Sequence, residues 1–456
     1  MVYRLASYLR RLTLPLLLIV AALASGLTPY AANPAAAAPA NAPSTTWFFA
    51  EGSTQSPFQT WFLVQNANSQ PTTVTFTFFL QPSGTATETF IVGANSRFSL
   101  FANQSLPNAA FSTRITSTLP IAAERAMYVS YDGDAKAGVN APNTTWLFAE
   151  GSTQSPFQTW ILLQNPNSNI ATATVQYLQE NGQVVTQVQP LPPNSRTSIF
   201  VNQVLPNSAF SIRITSDLPI IAERSLFRFP GNAATDVVGI NAPAPNWFFA
   251  EGRTNLLNRN ADTFLLLQNP NSNAVNATVT LFSTTGQTTQ FVTTIAPTSR
   301  QTIFMTPIVT SAGFATGSFG IRVQATGNII AERSIFFGVS PTLGAISTLG
   351  STTLATAWDL AEGETRAPFD ERILILNPNA QATNVTINFQ LENGQVVPAF
   401  FTVGANSKLE VEVGRIVTGA NSARITSSLP TVVERVMLIH KLGVIGGTDV
   451  VAVPGS

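Results

Sequence analysis

In several segments of the chain, hydrophobic and polar residues alternate in part with a period of two. Thr72–Leu80 reads TTVTFTFFL and residues 274–282 read AVNATVTLF, with β-branched and aromatic side chains interleaved with Thr and Asn. Such alternation gives a strand one buried and one hydrated face. Residues 111–117 and 121–131 have the same texture on either side of Leu119-Pro120, which predicts two successive strands separated by a Leu-Pro turn. Clusters of Gly, Pro and Asn interrupt the pattern at intervals of roughly 8–12 residues, the rhythm of a sandwich of short antiparallel strands. Beyond the N-terminal segment no window carries the 3.6-residue period of an amphipathic helix. The pattern predicts an all-β fold.

The pattern is itself repeated. AEGSTQSPFQTW occupies residues 50–61 and recurs unchanged at 149–160. Four copies each open on Trp and then Ala-Glu-Gly: Trp47 with Glu51, Trp146 with Glu150, Trp247 with Glu251, Trp358 with Glu362. A strand then ends in Gln65-Asn66, Gln164-Asn165, Gln268-Asn269 or Leu376-Asn377. Asn95-Ser96-Arg97 and Asn194-Ser195-Arg196 follow, with Thr298-Ser299-Arg300 and Asn406-Ser407-Lys408 as variants. An arginine comes next on a strand (Arg114, Arg213, Arg322, Arg424), and each copy closes on Glu-Arg, at Glu124-Arg125, Glu223-Arg224, Glu332-Arg333 and Glu434-Arg435. A period of about 100 residues is far longer than a solenoid repeat and matches a complete domain. The expected architecture is four tandem antiparallel two-sheet β-sandwich domains, at 44–141, 142–242, 243–355 and 356–456, each of roughly seven or eight strands. The joins between copies are short, which predicts a semi-rigid rod.

Residues 1–43 read differently. Arg4, Arg10 and Arg11 precede the apolar run 12–23, and Ala22-Leu23-Ala24 fits an A-x-A cleavage site, followed by an Ala/Pro-rich tether. This is a signal segment, either cleaved or retained as an anchor; membrane contact is expected only through it. The expected localisation is secreted or cell-surface. Charged residues make up only 10% of the chain, with 23 basic against 23 acidic. Such a chain has no field to attract phosphate backbones, so nucleic acid is not an expected partner. Without cysteine there is neither a disulfide nor a thiolate metal site.

The recurring charges are the first candidates for chemistry. In residues 432–439 both faces of the strand are apolar apart from Glu434 and Arg435, so one of the pair must point inward and be neutralised there. We expect a structural ionic cluster in each copy, joining the Glu of Ala-Glu-Gly (Glu51, Glu150, Glu251, Glu362) to the closing Arg (Arg125, Arg224, Arg333, Arg435). Arg114, Arg213, Arg322 and Arg424 are candidates to join it. Glu51 with Glu124 could suggest a glycosidase pair, but neighbouring arginines would depress both carboxylates where hydrolysis needs one raised. His440 is the single histidine, so no His-based triad or zinc site can be assembled. Asp132 and Asp134, the one hint of a calcium loop, read better as a turn. No catalytic residue, metal or cofactor is expected. Four aromatics, Phe58, Trp61, Phe157 and Trp160, are the binding candidates, because exposed rings stack on sugar faces; core packing is the competing reading, since Phe264 and Ile373 replace the Trp in later copies.

The order W-x-x-A-E-G, L-x-N, a basic position and S-x-L-P-I-x-x-E-R resembles the sensory rhodopsin transducer family. It is also similar to repeats of secreted proteins from filamentous and soil bacteria. The likeness spans Trp47 to Arg125 in the first copy and most of each other copy. It implies a β-sandwich with a binding or scaffolding role. The signal segment and the fusion of four copies depart from the transducer, a single cytoplasmic domain, so rhodopsin coupling is not carried over. The expected function is a non-catalytic extracellular or cell-surface structural repeat protein. The alternatives are a multivalent carbohydrate-binding or adhesive module, and a partner-binding protein of the transducer kind. The partner would be a cell-surface glycan or another surface protein.

Overall fold

A computed structural model describes residues 42–228, 233–256, 259–339, 342–441 and 444–455; the expected signal segment and the start of its tether lie outside them. The first repeat runs β1 (Ser44–Phe49), β2 (Phe58–Asn66), β3 (Thr72–Leu80), β4 (Thr85–Val92), β5 (Ser96–Phe101), the one-turn helix α1 (Ala102–Ser105), β6 (Phe111–Val129) and β7 (Asp132–Ala137). Every pairing is antiparallel. One layer has the order β4-β3-β6-β1 and the other β5-β2-β6-β7, so β6 belongs to both. The other three repeats follow the same plan around the long strands Phe210–Arg228, Phe319–Val339 and Asn421–Lys441.

The two strands expected at 111–117 and 121–131 are therefore one strand of 19 residues. Its first half pairs with β1 and β3, its second with β2 and β7. Leu119-Pro120 marks the crossing between layers instead of a turn. The register of β1 on β6 jumps there, with Thr46 opposite Thr116 and Ser44 opposite Ile121. Proline has no N–H for a ladder and is tolerated where the strand leaves one sheet for the other. Thr72 supports the bend, its hydroxyl accepting the N–H of Leu119 at 3.0 Å.

Each sandwich core is anchored by the opening tryptophan. Trp47 is fully buried and its indole N–H donates to the Ile121 carbonyl at 2.9 Å, and Trp146 repeats this on Ile220. Gly52 of the Ala-Glu-Gly loop lies against the Phe111 ring, where a Cβ would stand 2.6 Å from a ring carbon; only glycine lets the loop lie this close. The recurring Asn ends β2 for a structural reason: Asn66 donates to the carbonyls of Gln70, Val92 and Gly93 and accepts from Asn68.

All four repeats fall in one compact unit, and the expected rod is a closed ring. The outer face of each second sheet is buried, not hydrated, and the preceding repeat covers it. Phe48 and Ala50 of repeat 1 sit in one cluster with Leu162 of repeat 2. Leu147 and Ala149 of repeat 2 join Leu266 of repeat 3, and Phe248 and Ala250 of repeat 3 join Leu374 of repeat 4. Ala361 of repeat 4 returns to Leu63, Ala122 and Ala126 of repeat 1. Around the centre stand β7 and its counterparts Ala233–Val238, Thr342–Leu349 and Val444–Val451, each against the next. Short joins are compatible with this closure because the chain leaving each repeat bridges its own first strand, at Phe48 with Val139 and Leu147 with Ile240. In repeat 4 the C-terminal strand Val453–Pro454 takes that place on Ala355–Leu360. A closed unit of this length is expected to scatter X-rays with a radius of gyration of about 22 Å; a value well above this, with an elongated distance distribution, would indicate the rod.

Candidate functional site

The recurring charges meet in the seams. In repeat 1, β6 pairs Phe62 with Arg125 and Leu63 with Glu124. Adjacent residues of a strand face opposite sides, so Arg125 shares the face of Phe62, towards its own sandwich core, and Glu124 shares the outer face of Leu63. Both are fully buried, as are their counterparts in the other three repeats. Each Arg reaches the Glu of the next repeat: Arg125 to Glu223 at 2.5 Å, Arg224 to Glu332 at 2.8 Å, Arg333 to Glu434 at 3.3 Å. Arg435 closes the circle on Glu124 at 2.8 Å.

The same Glu holds the Ala-Glu-Gly loop of the repeat before it. Glu223 accepts the N–H of Ala50 at 2.7 Å, Glu332 those of Ala149 and Glu150 at 3.1 and 3.0 Å, Glu434 that of Ala250 at 2.6 Å and Glu124 that of Ala361 at 2.6 Å. The basic residue of the Asn-Ser-Arg motif grips the loop from the other side. Arg196 donates to the Gly52 carbonyl at 2.5 Å, Arg300 to that of Gly151 at 3.0 Å and Arg97 to that of Gly363 at 3.0 Å, while Lys408 pairs with Glu251. Three motifs distant in sequence are thus one device that fastens consecutive repeats.

The ionic cluster expected within each copy is consequently a cluster between copies. Contacts inside a copy remain, with Arg224 on Glu150 at 3.1 Å, Arg435 on Glu362 at 2.7 Å and Arg125 on the Glu51 carbonyl at 3.0 Å. Glu251 is instead held by Arg253 and Lys408. Burial works against the charge on Arg125, but Glu223, Asp236 and Glu51 outweigh it and push its pKa up. Burial likewise opposes ionisation of Glu251, and Arg253 with Lys408 holds it below the usual carboxylate range. The arginines of the first half of the long strand lie outside the cluster. Arg114 covers the Phe79 ring at 5.7 Å, Arg322 covers Phe282 at 5.6 Å, Arg213 is exposed and Arg424 acts on Asp359. They alternate with the buried positions of that half-strand, as Arg114 does between Thr113 and Ile115, and so face away from the core.

The aromatic candidates divide. Phe58 packs edge-on against Phe227 of repeat 2 at 6.1 Å, and Phe157 against Phe336 of repeat 3 at 5.7 Å; both serve the seams. Trp61 stacks on Phe101 at 4.4 Å and Trp160 on Phe200 at 4.6 Å, across the pair β2–β5 and its counterpart. Phe264 and Phe304 repeat the stack in the third copy. Trp61 also lines a cavity of about 540 Å³ in the seam between the last and first repeats, with Tyr128, Phe369, Arg97, Glu364 and Glu392.

Sequence reading did not foresee the polar centre of the ring. Asp132 and Asp134 form no turn; they lie in β7 and are buried. Lys136 bonds Asp134 at 2.8 Å and Asp449 of repeat 4 at 3.2 Å, Arg125 reaches Asp236 at 2.7 Å and Arg333 bonds Asp449. Asp132 accepts three backbone N–H groups, from Ala234 at 3.0 Å, Ala345 at 3.1 Å and Gly447 at 2.7 Å. Burial nevertheless raises its pKa to about 8, against the pull of those N–H groups and that of Gly133. Burial also raises Glu434 to about 7, offset in part by Arg333, and Glu371 to about 7, offset in part by Arg435.

No family model matches the chain. No curated protein matches it either. Among solved structures, the Thermotoga maritima protein 1070 is similar over 22% of this chain and 94% of its own, at 14% identity and a TM-score of 0.21. The Anabaena sensory rhodopsin transducer is similar over 18% of this chain and 95% of its own, at 17% identity and a TM-score of 0.17. A tetra-tandem repeat from the extending region of a large adhesion protein aligns with 85% of this chain and 92% of its own, at 10% identity and a TM-score of 0.10.

Removing one member of a buried pair leaves the other charge uncompensated, at a cost of roughly 3–5 kcal/mol. Arg435→Met is therefore expected to lower unfolding free energy by about that amount. Combined with Glu124→Gln it should cost less than the sum of the single changes, by about 1 kcal/mol or more in a double-mutant cycle by denaturant titration. The pH profile has a definite sign. Asp132, Glu434 and Glu371 bind protons more tightly folded than unfolded, so their contribution is complete below about pH 4 and is lost as pH rises through about 7 and 8. Melting temperature should fall between about pH 5 and pH 8, and Asp132→Asn, which cannot ionise, should remove part of that slope.

Proposed function

We propose that this chain is a non-catalytic extracellular or cell-surface scaffold, a ring of four sandwiches built by one polypeptide. The observation that carries this reading is the fate of the recurring carboxylates. Hydrolysis by a carboxyl pair needs one acid accessible to substrate with a raised pKa and another that stays ionised beside it. Here the Glu of each Glu-Arg pair is buried against a guanidinium group and the backbone of the neighbouring loop. The charges are spent on holding repeats together. Export is inferred from the basic and apolar N-terminal segment.

A second reading, carbohydrate binding, is favoured by the cavity between the last and first repeats. It offers the aromatic side chains of Trp61, Tyr128 and Phe369, and its acids face cations: Arg366 bonds Glu364 at 2.6 Å, and the cavity's polar wall carries Arg97 and Glu392. Rings combined with charge-balanced polar groups suit a neutral, hydroxyl-rich ligand. The two readings separate in one set of measurements. The scaffold predicts a folded chain without turnover on glycoside, ester or peptide substrates and without saturable binding of neutral oligosaccharides. The binding reading predicts saturable quenching of tryptophan fluorescence, weakened about tenfold or more by Trp61→Ala and untouched by Trp160→Ala, a loss of the size expected for one stacked ring.

A further inference from the structure

We infer that the centre of the ring is a binding site for one small carboxyl group, made of backbone N–H groups from different repeats and filled by the chain's own Asp132. Asp132 stands opposite Val129 in its hairpin, as Ala233 stands opposite Arg228, Gly344 opposite Phe337 and Gly446 opposite Ile439. These four are equivalent positions. The three donors to the Asp132 carboxyl, Ala234, Ala345 and Gly447, are the residues that follow its three equivalents. One N–H from each of the other repeats therefore reaches the same carboxyl group, Ala234 and Ala345 on Oδ2 and Gly447 on Oδ1, and that carboxyl is buried. Converging backbone N–H groups cradle the oxygens of a carboxyl group whatever supplies it.

The cradle has room for one occupant. The positions equivalent to Asp132 carry Ala233, Gly344 and Gly446, and the two glycines are tightly enclosed. A Cβ on Gly446 would run into the Tyr131 carbonyl, and one on Gly344 into the Ile445 carbonyl. Two carboxyl groups at this position would compete for the same N–H donors. Four identical copies could not satisfy this arrangement, because they would bring four acids or none. A fused chain can bring one. Asp132 also borders the cavity between the last and first repeats, which gives small solutes a route to the site once the side chain is removed.

The test uses the full chain at about pH 5, where Asp132 is protonated in the wild type, with sodium formate in equilibrium with formic acid as probe. Asp132→Ala should melt below the wild type, and formate should raise its melting temperature saturably by more than it raises the wild type at the same concentration. If this variant does not fold in plain buffer, refolding from denaturant in formate should restore folded protein, whereas sodium chloride at equal ionic strength should restore less. A second arm moves the carboxyl around the ring. Ala233→Asp alone should be destabilised, and Ala233→Asp combined with Asp132→Ala should regain stability towards the wild type and lose the formate response. An equal formate response in wild type and Asp132→Ala, no recovery in formate, or a double variant no better than the worse single one would each overturn the proposal.

Discussion

The structure depends on a charge handed from one repeat to the next. Each sandwich presents a guanidinium group on its inner face and a carboxylate on its outer face, one residue apart on the same strand, as at Arg125 and Glu124. Neither can be neutralised fully by its own repeat. A buried ion without a partner costs several kcal/mol, so every copy requires a neighbour on both sides. A row of four would leave Glu124 without a guanidinium partner at one end and Arg435 with Glu362 alone at the other. Joining those two ends gives Glu124 its guanidinium and Arg435 a second carboxylate, which favours closure of the array.

Closure also explains why the recurring motifs recur. Ala-Glu-Gly offers backbone N–H groups to the next repeat's Glu, and the basic residue of Asn-Ser-Arg takes the loop's carbonyls, as Arg196 does at Gly52. Apolar contacts such as Phe48 and Ala50 with Leu162 exclude water from these bonds, which strengthens them and makes their loss costly. The copies also differ at the centre, where Ala135, Asp236, Ser347 and Asp449 occupy one equivalent position with different chemistry. Side chains there meet other repeats, as Asp449 meets Lys136 and Arg333, and identical charges around a centre would repel. A single polypeptide can vary the four copies separately; identical subunits cannot.

Much of the sandwich was legible in the pattern. Alternation along Thr72–Leu80 found a strand with one buried face, and the repeat of Trp and Glu-Arg located four copies. The misreadings share a cause. Leu119-Pro120 looks like a turn because proline and a polar neighbourhood usually make one; here the surrounding sheets hold the strand extended across the bend. Asp132-Gly133 looks like a turn for the same reason, yet the N–H groups that fix Asp132 come from residues more than a hundred positions away. The rod followed from short joins, which limit the distance between neighbours but not the angle.

By itself, the sequence determined the strands, the number of repeats and the need for each Glu-Arg pair to be neutralised, because these rest on local alternation and on the cost of burying charge. Tertiary structure decided which Glu meets which Arg, the closing of repeat 4 onto repeat 1 and the placing of Asp132 at the centre. Those depend on the angle at which one sandwich sits on the next, summed over four seams, and no local pattern along a chain encodes an angle.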